Sequence, residues 1–148
     1  MSPPKVLALD LEGTLISNAV SQIPRPGLFD FLTRCRDSFS RIVMFTTVSE
    51  KRFRDIAGLL VKEGFAPTWF ADIEYVVWNG PTKDLRFIRG VAPSDVVLVD
   101  DYADFIHPGQ EGSWEEVEYF GPPYASDDEA LARTAQALRA RVERRSRR

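Results

Sequence analysis

Three short apolar runs in this chain each end, on the carboxyl side, in a polar residue: Val6-Leu7-Ala8-Leu9 before Asp10, Ile42-Val43-Met44-Phe45 before Thr46, and Val96-Val97-Leu98-Val99 before Asp100-Asp101. Four apolar residues in a row, without alternation, mark strands buried on both faces, and such strands belong to parallel sheets covered on both sides. Amphipathic segments separate the runs, so the pattern is a succession of βαβ units. The expected fold is therefore α/β, a three-layer doubly wound parallel sheet. In such a sheet the carboxyl ends of the strands share one edge, where ligands bind at the point at which strand order reverses. Asp10, Thr46 and Asp100 are expected to converge there.

The rest of the chain fills in around these strands. Pro26-Gly27 opens a helix that carries Leu28, Phe31, Leu32 and Cys35, and Ser49 is the expected N-cap of a second, with Phe53, Ile56, Ala57, Leu60 and Val61 on one face and Gly64 at its end. Trp69-Phe70 and Tyr75-Val76-Val77 read as a third strand region, and Lys83 to Arg89 as a short helix closed by Gly90. A fifth strand is expected within Val117 to Phe120. After the turn at Gly121-Pro122-Pro123, Ser126-Asp127-Asp128-Glu129 reads as a capping box opening a last helix with Ala130, Leu131, Ala135 and Leu138. Its end, Arg144 to Arg148, is expected to fray.

At 148 residues the chain has the length of one domain, read as residues 1–148 with 126–148 forming the final helix and basic tail. Its 44% hydrophobic and 28% charged residues are those of an ordinary folded protein. The net charge of −3 is uneven: residues 126–148 hold seven arginines against four acids, leaving twelve basic and eighteen acidic residues in the body. An acidic body argues against nucleic acid as the main ligand, since phosphate backbones are bound by clustered Lys and Arg. Cys35 is the one cysteine, so no internal disulfide and no cysteine-based zinc site can form. With no apolar stretch long enough for a signal peptide or a membrane span, the expected location is the cytoplasm and no membrane partner is expected.

Glu12, Asp101 and Lys83 join Asp10, Thr46 and Asp100 near the expected crevice, which then holds four carboxylates, one hydroxyl and one ammonium. Four carboxylates do not all stay ionised side by side without a cation. Mg²⁺, which takes one or two carboxylates, a carbonyl and waters, is the natural partner.

On these residues the chain resembles the haloacid dehalogenase (HAD) superfamily of aspartate-nucleophile phosphatases. Asp10-Leu11-Glu12-Gly13-Thr14-Leu15 is similar to its first motif, Phe45-Thr46 to its second, Lys83 to its third and Asp100-Asp101 to its fourth, in that order. Within the superfamily the likeness is to the NLI-interacting-factor-like branch, the polymerase C-terminal-domain phosphatases, on Arg25-Pro26-Gly27, Phe45-Thr46-Thr47, Lys83-Asp84-Leu85, and Val99-Asp100-Asp101 followed by Phe105-Ile106-His107-Pro108. The resemblance spans residues 5–140 and implies a HAD-like Rossmannoid fold with a minimal cap or none. It implies Mg²⁺-dependent hydrolysis of a phosphomonoester, on a small molecule or a macromolecule. Asp10 would attack phosphorus to form an aspartyl phosphate. Glu12 would serve as acid and then base, and Thr46 and Lys83 would hold the phosphoryl oxygens. Asp10, Asp101 and the Glu12 carbonyl would ligate the metal, with Asp100 beside it.

Two departures stand out. The family usually has Asp where this chain has Glu12, and the added methylene moves the carboxyl by ~1.5 Å. The segment from Leu15 to Pro24 is too short for the hairpin flap of the polymerase-tail phosphatases, so the site is expected to be open. An open site suits phosphate on a large molecule, or closure by a second subunit of a homo-oligomer. Two other readings compete: a receiver-like signalling domain, and a catalytically weak HAD scaffold that binds a phosphorylated partner. The receiver has its acidic pair after the first strand, whereas here the pair comes last. Thr47 reads as a turn residue, His107 as a loop-packing residue, and Trp69, Trp78 and Trp114 as packing residues.

Overall fold

The computed structural model describes residues 4–146, with the side chains of residues 145 and 146 left aside. Five strands form one parallel sheet: β1 (Val6–Leu9), β2 (Arg41–Met44), β3 (Glu74–Tyr75), β4 (Val96–Asp100) and β5 (Trp114–Glu116), in the spatial order β3-β2-β1-β4-β5. Three helices accompany them: α1 (Leu28–Ser38), α2 (Glu50–Lys62) and α3 (Ala130–Ser146). The chain runs outward from β1 to β3 and then returns to β4 on the far side of β1. Because crossovers are right-handed, that reversal of direction sends the later connections to the opposite face of the sheet.

The two faces are covered by different means. Leu7, Leu9, Ile42, Met44, Val97 and Val99 face the three helices, against Phe31, Leu32, Phe53, Ile56, Leu131 and Leu138. Their strand neighbours Val6, Ala8, Val43, Phe45, Val96 and Leu98 face the other way, onto Val76, Leu85 and Ile88 with Trp78, Phe87 and Ile106 around them. Here the layer consists of loops and 3-10 turns. The expected α/β architecture with three layers is present, with no room for a cap among the described residues. No described helix is long and apolar enough to cross a membrane.

Several boundaries differ from expectation. The Lys83 to Arg89 segment is not a helix: a 3-10 turn covers only Leu85–Phe87, and Lys83 pairs with Ile106 in a single parallel bridge, its N–H donating to Phe105 O at 2.7 Å. Leu85 and Ile88 are plugged into the sheet, a spacing that one tight turn satisfies without a nucleated α-helix. Trp69 and Phe70 lie in another 3-10 turn, Thr68–Asp72, and β3 is two residues long, extended only by the Val76 N–H to Met44 O. β5 lies at Trp114–Glu116 rather than within Val117 to Phe120, its register set by Leu98↔Trp114 and anchored by the Trp114 indole, which donates to Asp100 O at 2.9 Å. Trp114 is thus a ladder residue as well as a packing one. At the start of α3 the acceptor for Ala130 N–H is the Asp128 carboxylate, so Ser126 does not open the helix. The fraying expected of Arg144 to Arg148 falls, for Arg147 and Arg148, outside the described residues.

Other expectations hold. The left-handed Gly27 (φ 82°) precedes α1, whose buried residues are Leu28, Phe31, Leu32 and Cys35, and the Ser49 hydroxyl accepts from Arg52 N–H at the start of α2. Cys35 is free and buried, and burial pushes its thiol up to about 12.

Candidate active site

The strand order reverses between β1 and β4, so the crevice lies where Asp10 and Asp100 emerge side by side. Asp10 follows β1 directly, and its N–H donates to Val99 O at 3.0 Å, which ties the start of its loop to β4. Lys83 reaches in from beneath. Its ammonium is fully buried and lies 2.8 Å from Asp10 Oδ1 and 2.6 Å from Asp100 Oδ2. The other Asp100 oxygen accepts from Tyr102 N–H at 2.9 Å. Asp101 stands at the rim, half-buried, where Thr14 joins it to the centre: the Thr14 hydroxyl lies 2.7 Å from Asp10 Oδ2 and 3.1 Å from Asp101 Oδ1. Its single proton can be donated to either carboxylate, the shorter contact being to Asp10.

The loop is close-packed at this point. Gly13 has φ +75°, and a Cβ there would stand 2.8 Å from Asp101 Oδ2 and 2.9 Å from the Tyr119 ring. Only glycine lets the chain turn so near the carboxylates.

The charge balance is unfavourable as it stands, with three carboxylates around one ammonium. Burial, and then the negative charge of Asp10, push Asp100 up to about 6, against the opposing pull of Lys83 and the Tyr102 N–H. Burial likewise raises Asp101 to about 7, reinforced by a hydrogen bond to Asp10 and by the charges of Asp10 and Asp100. Burial alone would lower the Lys83 ammonium, but Asp10 and Asp100 outweigh it and the net shift is upward. Protons are held where positive charge is short. Asp10, Asp100 and Asp101 each offer an oxygen within 4.8 Å of the others, an all-oxygen donor set that fits a hard divalent cation.

Thr46 and Glu12 border this centre differently. Thr46 is buried just beyond β2, with its hydroxyl accepting from Val48 N–H at 3.1 Å, so that its own O–H remains to be donated. The Trp78 indole donates to Thr46 O at 2.8 Å and packs edge-on against Phe45 and Phe105, which fixes that carbonyl. A cavity of about 290 Å³ opens here, lined by Thr46, Thr47, Tyr75, Val77, Trp78 and Asn79. Thr47 is therefore at the mouth, and Trp78 both packs and lines it. The Glu12 carboxylate is turned aside: it accepts from Ala19 N–H at 2.7 Å and does not belong to the three-carboxylate cluster. The loop that carries Ala19, residues 17–23, is closed by an antiparallel bridge between Ile16 and Pro24 and by Ser17 N–H donating to Ile23 O at 2.8 Å, a much smaller structure than a hairpin flap. His107 packs in its loop, with Nδ1 2.7 Å from the Thr82 hydroxyl and Nε2 3.5 Å from Asp84.

Of the residues singled out from sequence, the structure brings together Asp10, Lys83, Asp100 and Asp101, places Thr46 at the edge, and leaves Glu12 tethered nearby. The sequence pattern gives no role of its own to Thr14, which bridges the carboxylates. The one signal for it is its place four residues beyond Asp10 in the same strand-end loop.

A family model described as NLI interacting factor-like phosphatase matches residues 5–147. No curated protein matches the chain.

Proposed function

Because the chain belongs to the NLI interacting factor-like phosphatases and is therefore a hydrolase of phosphorylated substrates, we propose that it cleaves a phosphomonoester through an aspartyl phosphate on Asp10, with a divalent cation, Mg²⁺, held beside it. The observation that carries this reading is Asp10 itself, a buried strand-end carboxylate with an ammonium on one oxygen and a hydroxyl on the other.

In this reading Asp10 attacks phosphorus, the bond to the leaving oxygen breaks, and Glu12 gives that oxygen a proton. Glu12 then takes a proton from water, the water oxygen attacks phosphorus, and the bond to Asp10 breaks to release phosphate. Lys83, already at hydrogen-bond distance from Asp10, meets the phosphoryl oxygens as they arrive, and Thr46 donates its O–H to another of them. Asp10, Asp100, Asp101 and the Glu12 carbonyl are the groups that would hold the cation, which when bound supplies the charge the transferring phosphoryl group needs. The acidic body and the uncharged lining of the cavity beside Thr46 support a substrate other than nucleic acid.

A second reading, slow turnover on a phosphate-binding scaffold, is favoured by one observation: one oxygen of Glu12 accepts from Ala19 N–H, which restrains the carboxylate and leaves its other oxygen to serve the leaving group. Hydrolysis of an aryl phosphate, assayed with Mg²⁺ and with chelator, separates the two. The proposal expects multiple turnovers that stop on chelation and disappear in Asp10→Asn with the thermal midpoint nearly kept. Activity that survives in Asp10→Asn contradicts it.

A further inference from the structure

Three consecutive carbonyls of the loop that follows Asp10 are each held by a donor from outside the loop. Gly13 O accepts from Phe120 N–H at 2.8 Å, Thr14 O from Arg25 Nη1 at 3.2 Å, and Leu15 O from Arg25 N–H at 2.9 Å. Two of the three donors thus come from one residue. Arg25 is a fully buried cation, and its guanidinium is gripped in turn: Nε and Nη2 donate to the two oxygens of Asp128 at 3.0 and 3.2 Å, and the Phe120 ring lies beneath it at 5.2 Å. Asp128 also accepts from Ala130 N–H at the start of α3. Burial alone would raise the Asp128 carboxyl, but Arg25 and that N–H outweigh it and hold it low. A buried ion pair is weak support for stability, because desolvation offsets the Coulombic gain, so this one calls for another reason.

The reason lies at Thr14. Its carbonyl is clamped by Arg25 while its hydroxyl bridges Asp10 and Asp101, so the clamp sets where the two carboxylates are held. We propose that Arg25, braced by Asp128, is a positioning residue for phosphoryl transfer: it fixes the Thr14 peptide so that the Thr14 hydroxyl aligns Asp10 with Asp101. This rests on the phosphatase reading above.

The test is a set of variants, Arg25→Lys, Asp128→Asn and the apolar pair Arg25→Met/Asp128→Leu, with Arg139→Ala, in an exposed ion pair with Glu143, as control. Misplacement of reacting groups by about 1 Å costs up to ~10²-fold, so kcat per folded molecule should fall tenfold or more in Arg25→Lys with KM within twofold. The apolar pair leaves no charge unpaired but removes the acceptor of Ala130 N–H, so its thermal midpoint should exceed that of Asp128→Asn, which leaves Arg25 buried without its partner charge, while kcat stays low because Thr14 O still lacks its donor. Hydrogen exchange at the amides of Thr14, Leu15 and Ile16, all bonded to Leu11 O, should quicken in all three and not in the control. Recovery of kcat together with stability in the apolar pair would overturn the proposal and leave Arg25 a structural residue. If wild type proves inactive on phosphate esters, the phosphatase reading fails, and unchanged exchange at 14–16 would then overturn the positioning role on its own.

Discussion

Lys83 is the residue on which charge balance turns, since it is the single ammonium between Asp10 and Asp100. Replacing it with the apolar, similarly long Met should lower turnover by about 10²–10³, the range for one preorganised electrostatic contact. The same variant should lose more stability at pH 8 than at pH 5, because at the lower pH Asp100 and Asp101, both raised, can take up protons in place of the lost cation. Steady-state rates and thermal midpoints at the two pH values check both halves, and equal losses at both pH values would mean the pair does not depend on Lys83 for compensation. Asp10 and Asp100 were legible in the sequence because each ends a buried apolar strand with nothing apolar to do, and Lys83 only through its order among the motifs, since its own segment reads as a helix. Arg25 and Thr14 were not, because their roles come from partners that sequence proximity does not reveal: Asp128 lies 103 residues from Arg25, and Asp101 lies 87 from Thr14.

Among the elements, β1, β2 and β4 were readable and β3, β5 and the Lys83 segment were not, and burial explains the split. A central strand must be apolar on both faces, and β4 is buried at all five positions. β5 is an edge strand of sequence Trp-Glu-Glu with half-buried and exposed residues, so its place is set by side-chain anchors instead. Arg141 on α3 supplies several, binding Glu115 and the carbonyls of Gly112 and Trp114. The Trp114 indole supplies another by holding Asp100 O, immediately behind the carboxylate pair. Trp114→Phe keeps an aromatic ring but removes that donor and the pyrrole half of the indole, and should cost about 1 kcal/mol of stability for the hydrogen bond with a further loss for the missing ring. Denaturant unfolding measures it, and an unchanged midpoint would show that the indole does not anchor the strand.

For the whole molecule, the fold delivers three carboxylates to one crevice at an energetic cost, and pH linkage makes that cost measurable. Asp100 and Asp101 have folded values above those of an unfolded chain, so the stabilising effect of their protonation is complete at low pH and is lost as pH rises toward about 6 to 7. A cation competes with those protons. Added Mg²⁺ should therefore raise the thermal midpoint more at pH 8 than at pH 5, while Asp101→Asn should blunt the rise. A shift that is equal at the two pH values, or that survives in Asp101→Asn, would place the ion elsewhere.

The most direct test of the central claim is intact-mass detection of phosphoryl transfer to Asp10 after rapid quench. Glu12→Gln keeps the size of the side chain and its hydrogen bonding but removes the base, so an aryl phosphate, whose leaving group needs no acid, should load the variant with one phosphoryl group that persists. Wild type under the same conditions should show it only transiently, and Asp10→Asn/Glu12→Gln should show none. A Glu12→Gln variant that turns over at the wild-type rate without accumulating phosphoprotein, or a phosphoryl group that remains in the double variant, would contradict the account.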